Sequence, residues 1–391
     1  MREATRILQK DGPVAATAAI QRALHGSTAQ DSSADWSRFL PQAPELRDIN
    51  PPQASGVEQN FQKLDGIRSR IKAFSGKWAD AIAQQAVEDV EIKEAGDLAG
   101  KGRFIAGTCT NHAGTRTWKL YIPSGYTGQA LPLVVMLHGC TQNPDDFAAG
   151  TGMNIVAEDN HCFVLYPAQA KNANASNCWN WFNPRDQRRD SGEASIIADI
   201  TRQIIREYAI DTRRVYVAGL SAGGAMAAVM GASYPDLYAA IGVHSGVPHG
   251  VAHNLPSAFA AMKNRKAKSS APTTGARKAE PFRHAVPVII FHGDCDATVD
   301  PSNADQVLVQ CTSDAVVASK VDSGNAPNGR SYTRTIQSDG QGKVVAEKWI
   351  VCGAGHAWSG GSCKGSYTDP EGPDAAREML RFFYTHERKA E

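Results

Sequence analysis

The sequence predicts an α/β fold with a mostly parallel central sheet, preceded by a largely helical N-terminal extension. Three observations carry that expectation. From Arg103 onward, short β-branched runs alternate with helix-like segments. Those runs are near-continuously apolar, the pattern of strands covered on both faces. The first hundred residues have a different texture and no such alternation.

The boundaries follow from these textures: residues 1–100 form the extension with its linker, and 101–391 form one catalytic-size domain. Arg6 to His25 is rich in Ala, Leu and Ile and reads as helical, broken near Asp11–Gly12–Pro13, with Gly26 as a stop. Residues 27–57 carry Ser, Asp, Gln and Pro and read as a linker. Val57 to Gly100 is polar with scattered apolar residues, and its type stays open.

In the larger part the strand runs are Trp118–Ile122, Leu133–Leu137, Cys162–Tyr166, Arg214–Ala218, Ala240–His244, Val288–Phe291 and Val344–Val351. Helix-like segments lie between them at Ser195–Tyr208, Gly223–Ala232 and Ala304–Cys311. A last helix starts at Pro373. Its Ala376, Met379, Leu380 and Phe383 repeat at i, i+3, i+4 and i+7, an apolar stripe. Met262 to Arg283 interrupts the pattern with seven Lys/Arg against one Glu and reads as a solvated insertion loop, or else as a lid or anionic-surface contact.

Composition excludes several classes. The 391 residues hold 41 Lys+Arg and 40 Asp+Glu, a charge of +1, too flat for a protein that grips nucleic acid by neutralising phosphates. At 42% hydrophobic and 21% charged, the chain is neither coiled coil, collagen-like nor wholly disordered. No run reaches the 18 or so apolar residues of a membrane-spanning helix. Met1 to Lys10 lacks the apolar core of a secretory leader, so the chain as written is expected to be cytoplasmic.

Chemistry enters at Gly219–Leu220–Ser221–Ala222–Gly223. This G-x-S-x-G follows the strand Val215–Ala218 directly and opens a helix, the context a nucleophile elbow needs. The turn is so tight that side chains two residues either side of the serine would collide, and glycine removes them. The helix N-terminus behind Ser221 directs N–H groups toward developing negative charge.

A serine hydroxyl needs a base, and in this arrangement the order is Ser, acid, His. His356 lies in the glycine-rich Cys352–Gly–Ala–Gly–His–Ala–Trp358 just past a strand. The acid should follow the strand ending in His292. Asp294 and Asp296 compete there, and the form His-Gly-x-x-Asp-x-x-Val favours Asp296, leaving Asp294 to structure the loop. Oxyanion donors are expected from the backbone N–H of Ala222 and of Cys140, in the loop after Leu133–Leu137.

These motifs converge. Leu137–His–Gly–Cys–Thr–Gln142, Cys178–Trp–Asn–Trp–Phe182, the Ser221 elbow, Phe291–His–Gly–Asp–Cys–Asp296, Gly355–His–Ala–Trp358 and Tyr121–Ile–Pro–Ser–Gly–Tyr126 resemble the polyhydroxybutyrate depolymerase family of esterases, from about Arg103 to Tyr384. The resemblance implies an α/β-hydrolase fold and carboxylic ester hydrolysis, with Ser221 as nucleophile, Asp296 as acid and His356 as base. It also implies secretion as an alternative location, since many family members are secreted.

The expected function is therefore a cofactor-free serine esterase acting through an acyl-enzyme on short-chain polyhydroxyalkanoate, polymer or oligomer. The chain ends soon after its last helix rather than in a polymer-binding domain, so oligomers or small esters are favoured over crystalline polymer. An alternative is a feruloyl or acetylxylan esterase acting on plant cell-wall esters. A reading from another class makes residues 1–100 a module for a granule or polymer surface, or for a protein partner.

Around the site, His138, Trp179, Trp181 and Trp358 are expected to contact substrate, as aromatic walls beside an apolar acyl chain or phenolic ring. The other reading of each Trp is packing of its loop against the core. The cysteines are too sparse for a disulfide scaffold. Cys140–Cys178 and Cys295–Cys352 are the pairings that loop position offers, against free buried thiols. His244, His249 and His253 have no carboxylate or Cys partner at ligand spacing, so no metal site is expected and they read as a loop at the site's edge. Asn174–Ala175–Ser176 is a formal glycosylation sequon.

Overall fold

The computed structural model describes residues 102–264, 279–282, 285–312, 316–327 and 329–388. The readings made over residues 1–100, and most of the basic Met262–Arg283 segment, lie outside the described residues. The chain enters through β1 (Arg103–Asn111), β2 (Gly114–Ile122) and β3 (Leu131–Leu137). Helices α1 (Pro144–Thr151) and α2 (Met153–Asn160) lead to β4 (Phe163–Pro167). Then come α3 (Gly192–Glu207), β5 (Ile210–Leu220), α4 (Ala222–Ser233), β6 (Ala240–His244), α5 (Leu255–Met262), β7 (Val288–Gly293) and α6 (Ser302–Thr312). A hairpin of β8 (Ala318–Asn325) and β9 (Ser331–Ser338) precedes β10 (Val344–Val351). The short β11 (Trp358–Ser359) and β12 (Thr368–Asp369) pair beside the sheet, and α7 (Ala375–Phe383) closes the fold.

Ten strands form one sheet in the order β1-β2-β4-β3-β5-β6-β7-β10-β9-β8. The block from β4 to β10 is parallel throughout. Both edges are antiparallel. Strands β3, β4, β6 and β7 are buried from end to end, as their unbroken apolar runs require.

Alternate residues of these strands face opposite ways, and two cores result. Leu133, Val135 and Leu137 of β3 join Val215 and Val217 of β5 in a core covered by α3, α4 and α6. Val134 and Met136 join Tyr216 and Ala218 in a second core under α1, α2 and α7. Each fully buried Leu, Val or Met contributes about 1.5–3 kcal/mol of transfer free energy. The stripe read on the last helix is the inward face of α7: Ala376, Met379, Leu380 and Phe383 are all buried. Asp374 caps that helix by accepting the Arg377 N–H at 3.0 Å.

The strand runs and the four helices read from sequence between Arg103 and Tyr384 are all present. Several elements are additional. Strand β1 is an edge strand, exposed or half-buried along its length, so it carries no apolar run. The β8–β9 hairpin is mostly exposed or half-buried for the same reason. Helix α1 has caps as its signal: Asn143 accepts the Asp146 N–H at 3.0 Å, Pro144 takes the first turn, and Gly152 ends it at φ 65°.

Because β5, β7 and β10 run parallel, the turns that follow them open on one edge of the sheet. Those turns carry Ser221, Asp296 and His356.

Candidate active site

Strand β5 ends at Leu220 and α4 starts at Ala222, so Ser221 alone makes the turn. It sits at φ 58° and ψ −115°, a conformation that costs a residue with a side chain about 1–3 kcal/mol. Two backbone bonds hold it there. The Ser221 N–H donates to His244 O at 2.8 Å, and Ser221 O accepts the Ala225 N–H at 2.9 Å. The flanking glycines are steric requirements. A Cβ on Gly219 would lie 2.4 Å from the carbonyl carbon and oxygen of Gly223, and one on Gly223 would lie 1.9 Å from Leu137 O. All of these are backbone atoms that cannot give way.

His356 and Asp296 meet directly. The Nδ1–H of His356 donates to Asp296 Oδ2 at 2.7 Å, which leaves Nε2 as the basic nitrogen. Asp296 is buried, and its other oxygen accepts the N–H groups of Thr298 and Val299, each at 2.8 Å. Burial alone would raise this carboxyl. Hydrogen bonds from His292 and His356, the charge of His356 and the Val299 N–H outweigh burial and hold it well below the usual carboxylate range. Asp296 is thus a fixed anion behind the imidazole. Asp294 does what its loop position suggests: Oδ1 accepts the Gly353 N–H at 2.6 Å, tying the acid loop to the base loop.

Among the described residues, Ser221 Oγ and His356 Nε2 make no hydrogen bond with each other or with a third group. The link between their loops runs through His244 instead. Its carbonyl takes the Ser221 N–H, and its Nε2 accepts the Ser359 N–H at 2.9 Å. Resting enzymes often hold such a pair loosely and tighten it on substrate.

The oxyanion candidates lie beside the elbow. The Ala222 N–H is in the first turn of α4, where helix N–H groups are unpaired. A Cβ on Gly139 would come within 3.7 Å of Ser221 Cβ, which puts the His138–Gly139–Cys140 loop against the serine. That loop is secured three ways. Cys140 and Cys178 form a disulfide. The Thr141 N–H donates to Ser176 O at 2.6 Å. The Gly139 N–H donates to Gln142 Oε1 at 2.9 Å.

Five expectations are corrected. His138 is 1% exposed, donates from Nδ1 to Gly139 O at 2.8 Å and accepts the Gln169 N–H at Nε2, 3.1 Å away. Burial pushes its pKa down to about 4. It is a neutral scaffold for the loop and offers nothing to substrate. Trp179, Trp181 and Trp358 are buried as well. Trp179 packs beside His138, Trp181 edge-on to Phe182, and Trp358 between Phe147 and His244. Large indoles gain more from the core than from a wet cleft, and packing decides all three. The pairing of Cys295 with Cys352 is the fifth: both are free thiols, the first exposed and the second half-buried.

Three residues have roles that the sequence reading does not assign, His244 being read there only as a strand end and a loop at the site's edge. Gln142 is buried and bridges Gly139 to Asp146 and to Ser366 O, with Nε2 contacts of 2.9 and 3.1 Å. His292 is fully buried. Its Nε2 reaches Val299 O at 3.0 Å and Asp296 Oδ2 at 3.3 Å, so that nitrogen carries the proton. His244 is the third. Burial, then the neighbouring His292 and His356, push its pKa well below the ordinary value, so it is a neutral acceptor. Each is a polar residue at the end of an apolar strand or in the loop that follows it, the one sequence signal that marks such positions.

Among the described residues no group of three His, Cys, Asp or Glu is arranged to hold a metal ion. His249 is engaged with Gln187 O at 3.1 Å. No helix of the described residues is long and apolar enough to cross a membrane.

Residues 116–328, more than half of the chain, match the family described as Esterase PHB depolymerase. The chain belongs to that family. As a PHB depolymerase-family esterase it is 32% identical over 250 residues to poly(3-hydroxyalkanoate) depolymerase C of Paucimonas lemoignei, covering 63% of this chain and 59% of the relative. It is 30% identical over 270 residues to a poly(3-hydroxybutyrate) depolymerase of Ralstonia pickettii, covering 64% and 53%. The chain therefore spans little more than half the length of either depolymerase. A feruloyl esterase B of Neurospora crassa is 29% identical over 260 residues, covering 64% of this chain and 82% of the relative. Among solved structures, an acetyl xylan esterase from Aspergillus awamori superposes with a TM-score of 0.52 at 19% identity, over 72% of this chain and 99% of that one. That likeness is one of fold alone, and it agrees with the α/β-hydrolase fold expected of this PHB depolymerase-family member.

Proposed function

We propose that the protein is a serine esterase that cleaves short-chain hydroxyalkanoate esters through an acyl-enzyme. The observation that carries this reading is the 2.7 Å bond between His356 Nδ1 and a buried, anionic Asp296, on the sheet edge where Ser221 is held in a strained turn. His356 Nε2 takes the Ser221 proton as Oγ attacks the ester carbonyl. Asp296 stabilises the imidazolium without accepting the proton. The Cys140 and Ala222 N–H groups receive the oxyanion, and a donor of this kind is worth about 100- to 1000-fold in rate. His356 then protonates the departing alkoxide. Water, deprotonated by the same nitrogen, releases the acid and restores Ser221.

Likeness to a poly(3-hydroxyalkanoate) and a poly(3-hydroxybutyrate) depolymerase favours the hydroxyalkanoate reading, which we take to be hydroxybutyrate oligomers for this chain. Feruloyl or acetylated cell-wall esters form the second reading, favoured by the feruloyl esterase relative, of which this chain covers the larger share. The Cys140–Cys178 disulfide supports a site of action in an oxidising compartment. Contact with a granule or polymer surface remains a proposal for residues 1–100. The test is an ester panel of p-nitrophenyl butyrate, a hydroxybutyrate trimer, methyl ferulate and acetylated xylan, with Ser221→Ala as the blank. Loss of turnover in a folded Ser221→Ala protein is expected. Turnover retained by that variant overturns the mechanism.

A further inference from the structure

The three tryptophans that sequence placed along the substrate are core residues, so the site's rim has a different aromatic. Tyr367 is 44% exposed, whereas Trp358, Trp179 and Trp181 are all below 9%. It lies where two parts of the site meet. Its carbonyl accepts the Trp358 N–H at 2.7 Å, two residues past His356. Its hydroxyl stands 3.3 Å from Thr141 Oγ1, one residue past Cys140. The ring therefore spans from the base loop to the oxyanion loop.

The backbone beneath the ring is fixed. Tyr367 sits at φ 53°, left-handed space that bulky residues seldom occupy, and Thr141 opposite sits at φ 68°. On one side Ser366 is tied to Asp146 through its N–H at 2.8 Å and its hydroxyl at 2.5 Å. On the other side Thr368 and Asp369 pair with Trp358 and Ser359. An exposed ring on so firm an anchor adds little to the core. Strain of this kind persists where the surroundings impose it, and it collects at ligand-contacting positions.

We propose that Tyr367 is a specificity-determining residue, its ring forming the wall for the apolar chain of a hydroxyalkanoate ester beyond the scissile bond. The Tyr367 and Thr141 hydroxyls are a polar pair that suits the next ester oxygen along such a chain. This inference rests on the esterase reading and deepens it. It takes a substrate with apolar methyl groups and ester oxygens in repeat, and a single acetyl group is too short to reach the wall.

Tyr367→Gly is the informative variant, because glycine suits a φ of 53° and removes the ring without adding strain. Tyr367→Phe keeps the ring and removes the hydroxyl. KM and kcat are measured for a hydroxybutyrate trimer and for p-nitrophenyl acetate. The expected result is a KM for the trimer raised about 10-fold in Tyr367→Gly, with kcat within about twofold and the acetate constants unchanged, in line with the loss of a few apolar contacts. Tyr367→Phe should recover most of the trimer KM. An unchanged trimer-to-acetate ratio in Tyr367→Gly overturns the inference, and so does an equal fall of kcat for both substrates. Wild-type protein inactive on both esters would instead sink the esterase reading itself.

Discussion

His244 accepts the backbone N–H of Ser359 at its Nε2, 2.9 Å away, with both residues buried. Through its carbonyl the same residue holds the Ser221 N–H at 2.8 Å, so one histidine ties the nucleophile turn to the strand beyond the base. Replacing it separates its two jobs. His244→Leu fills the space and strands the Ser359 N–H, which costs about 1–3 kcal/mol for a buried unpaired donor. His244→Gln keeps an acceptor near the Nε2 position. Urea unfolding should therefore show the Leu variant less stable than the Gln variant by about that amount. Equal stabilities would mean the bond does not matter.

Acid should weaken the fold through His138. Its pKa in the folded protein is about 4, pushed down by burial from an ordinary value of 6.5. The unfolded chain takes up a proton below 6.5 while the folded form does not. Stability is therefore lost as pH falls from about 6.5 to about 4, and this contribution is flat below that. The shift corresponds to about 3 kcal/mol. Asp296 acts in a lower window: its carboxyl is depressed, so its contribution is present above about pH 4 and drains away below it. Unfolding free energies at pH 7 and pH 4.5 should differ less in His138→Gln than in wild type. A variant as acid-sensitive as wild type would refute the assignment.

The elbow tolerates no Cβ. Gly223→Ala places a methyl 1.9 Å from Leu137 O, so β3 and α4 must separate. The variant should be insoluble, or folded with esterase activity down at least about 100-fold, since the two proposed oxyanion donors, Cys140 after β3 and Ala222 in α4, move apart. Gly355→Ala is the contrast. Nothing lies within 4 Å of a Cβ there, so its melting temperature should match wild type within a few degrees. Circular dichroism melts of the two variants compare them directly.

The parallel block of the sheet was readable because its strands are apolar on both faces, and Leu133–Leu137 or Val288–Phe291 needs no further signal. Ser221, Asp296 and His356 were readable because each sits at the end of such a strand in a turn whose glycines and polar residues have few alternative uses. Among the strands, what escaped is what solvent touches. Residues Ala318–Asn325 pair in a ladder yet alternate no apolar residues, since almost nothing there is buried. The substrate wall was misread for the converse reason. Tryptophan in a loop looks like a ligand contact in one dimension, and only packing tells that Trp358 lies between Phe147 and His244. Tyr367 carried no sequence signal, because its exposure and positive φ exist only once β11 and β12 have paired.

The register of β7 against β10, Gly293 opposite Val351, has a consequence for how the protein can be altered. Asp296 and His356 are 60 positions apart in the chain, yet each lies only a few residues past this one rung. The β8–β9 hairpin between the two strands is a detour that leaves and returns beyond the Asp294–Val299 segment that holds Asp296. The Asp339–Lys343 turn that joins β9 to β10 is solvent-facing, and its Asp339 accepts the N–H groups of Gln341 and Lys343 at 2.9 Å each. Chain length is free to vary in that hairpin, through loop grafts, reporter tags or whole inserted modules, while Asp296 and His356 keep their alignment from a neighbouring rung of the sheet.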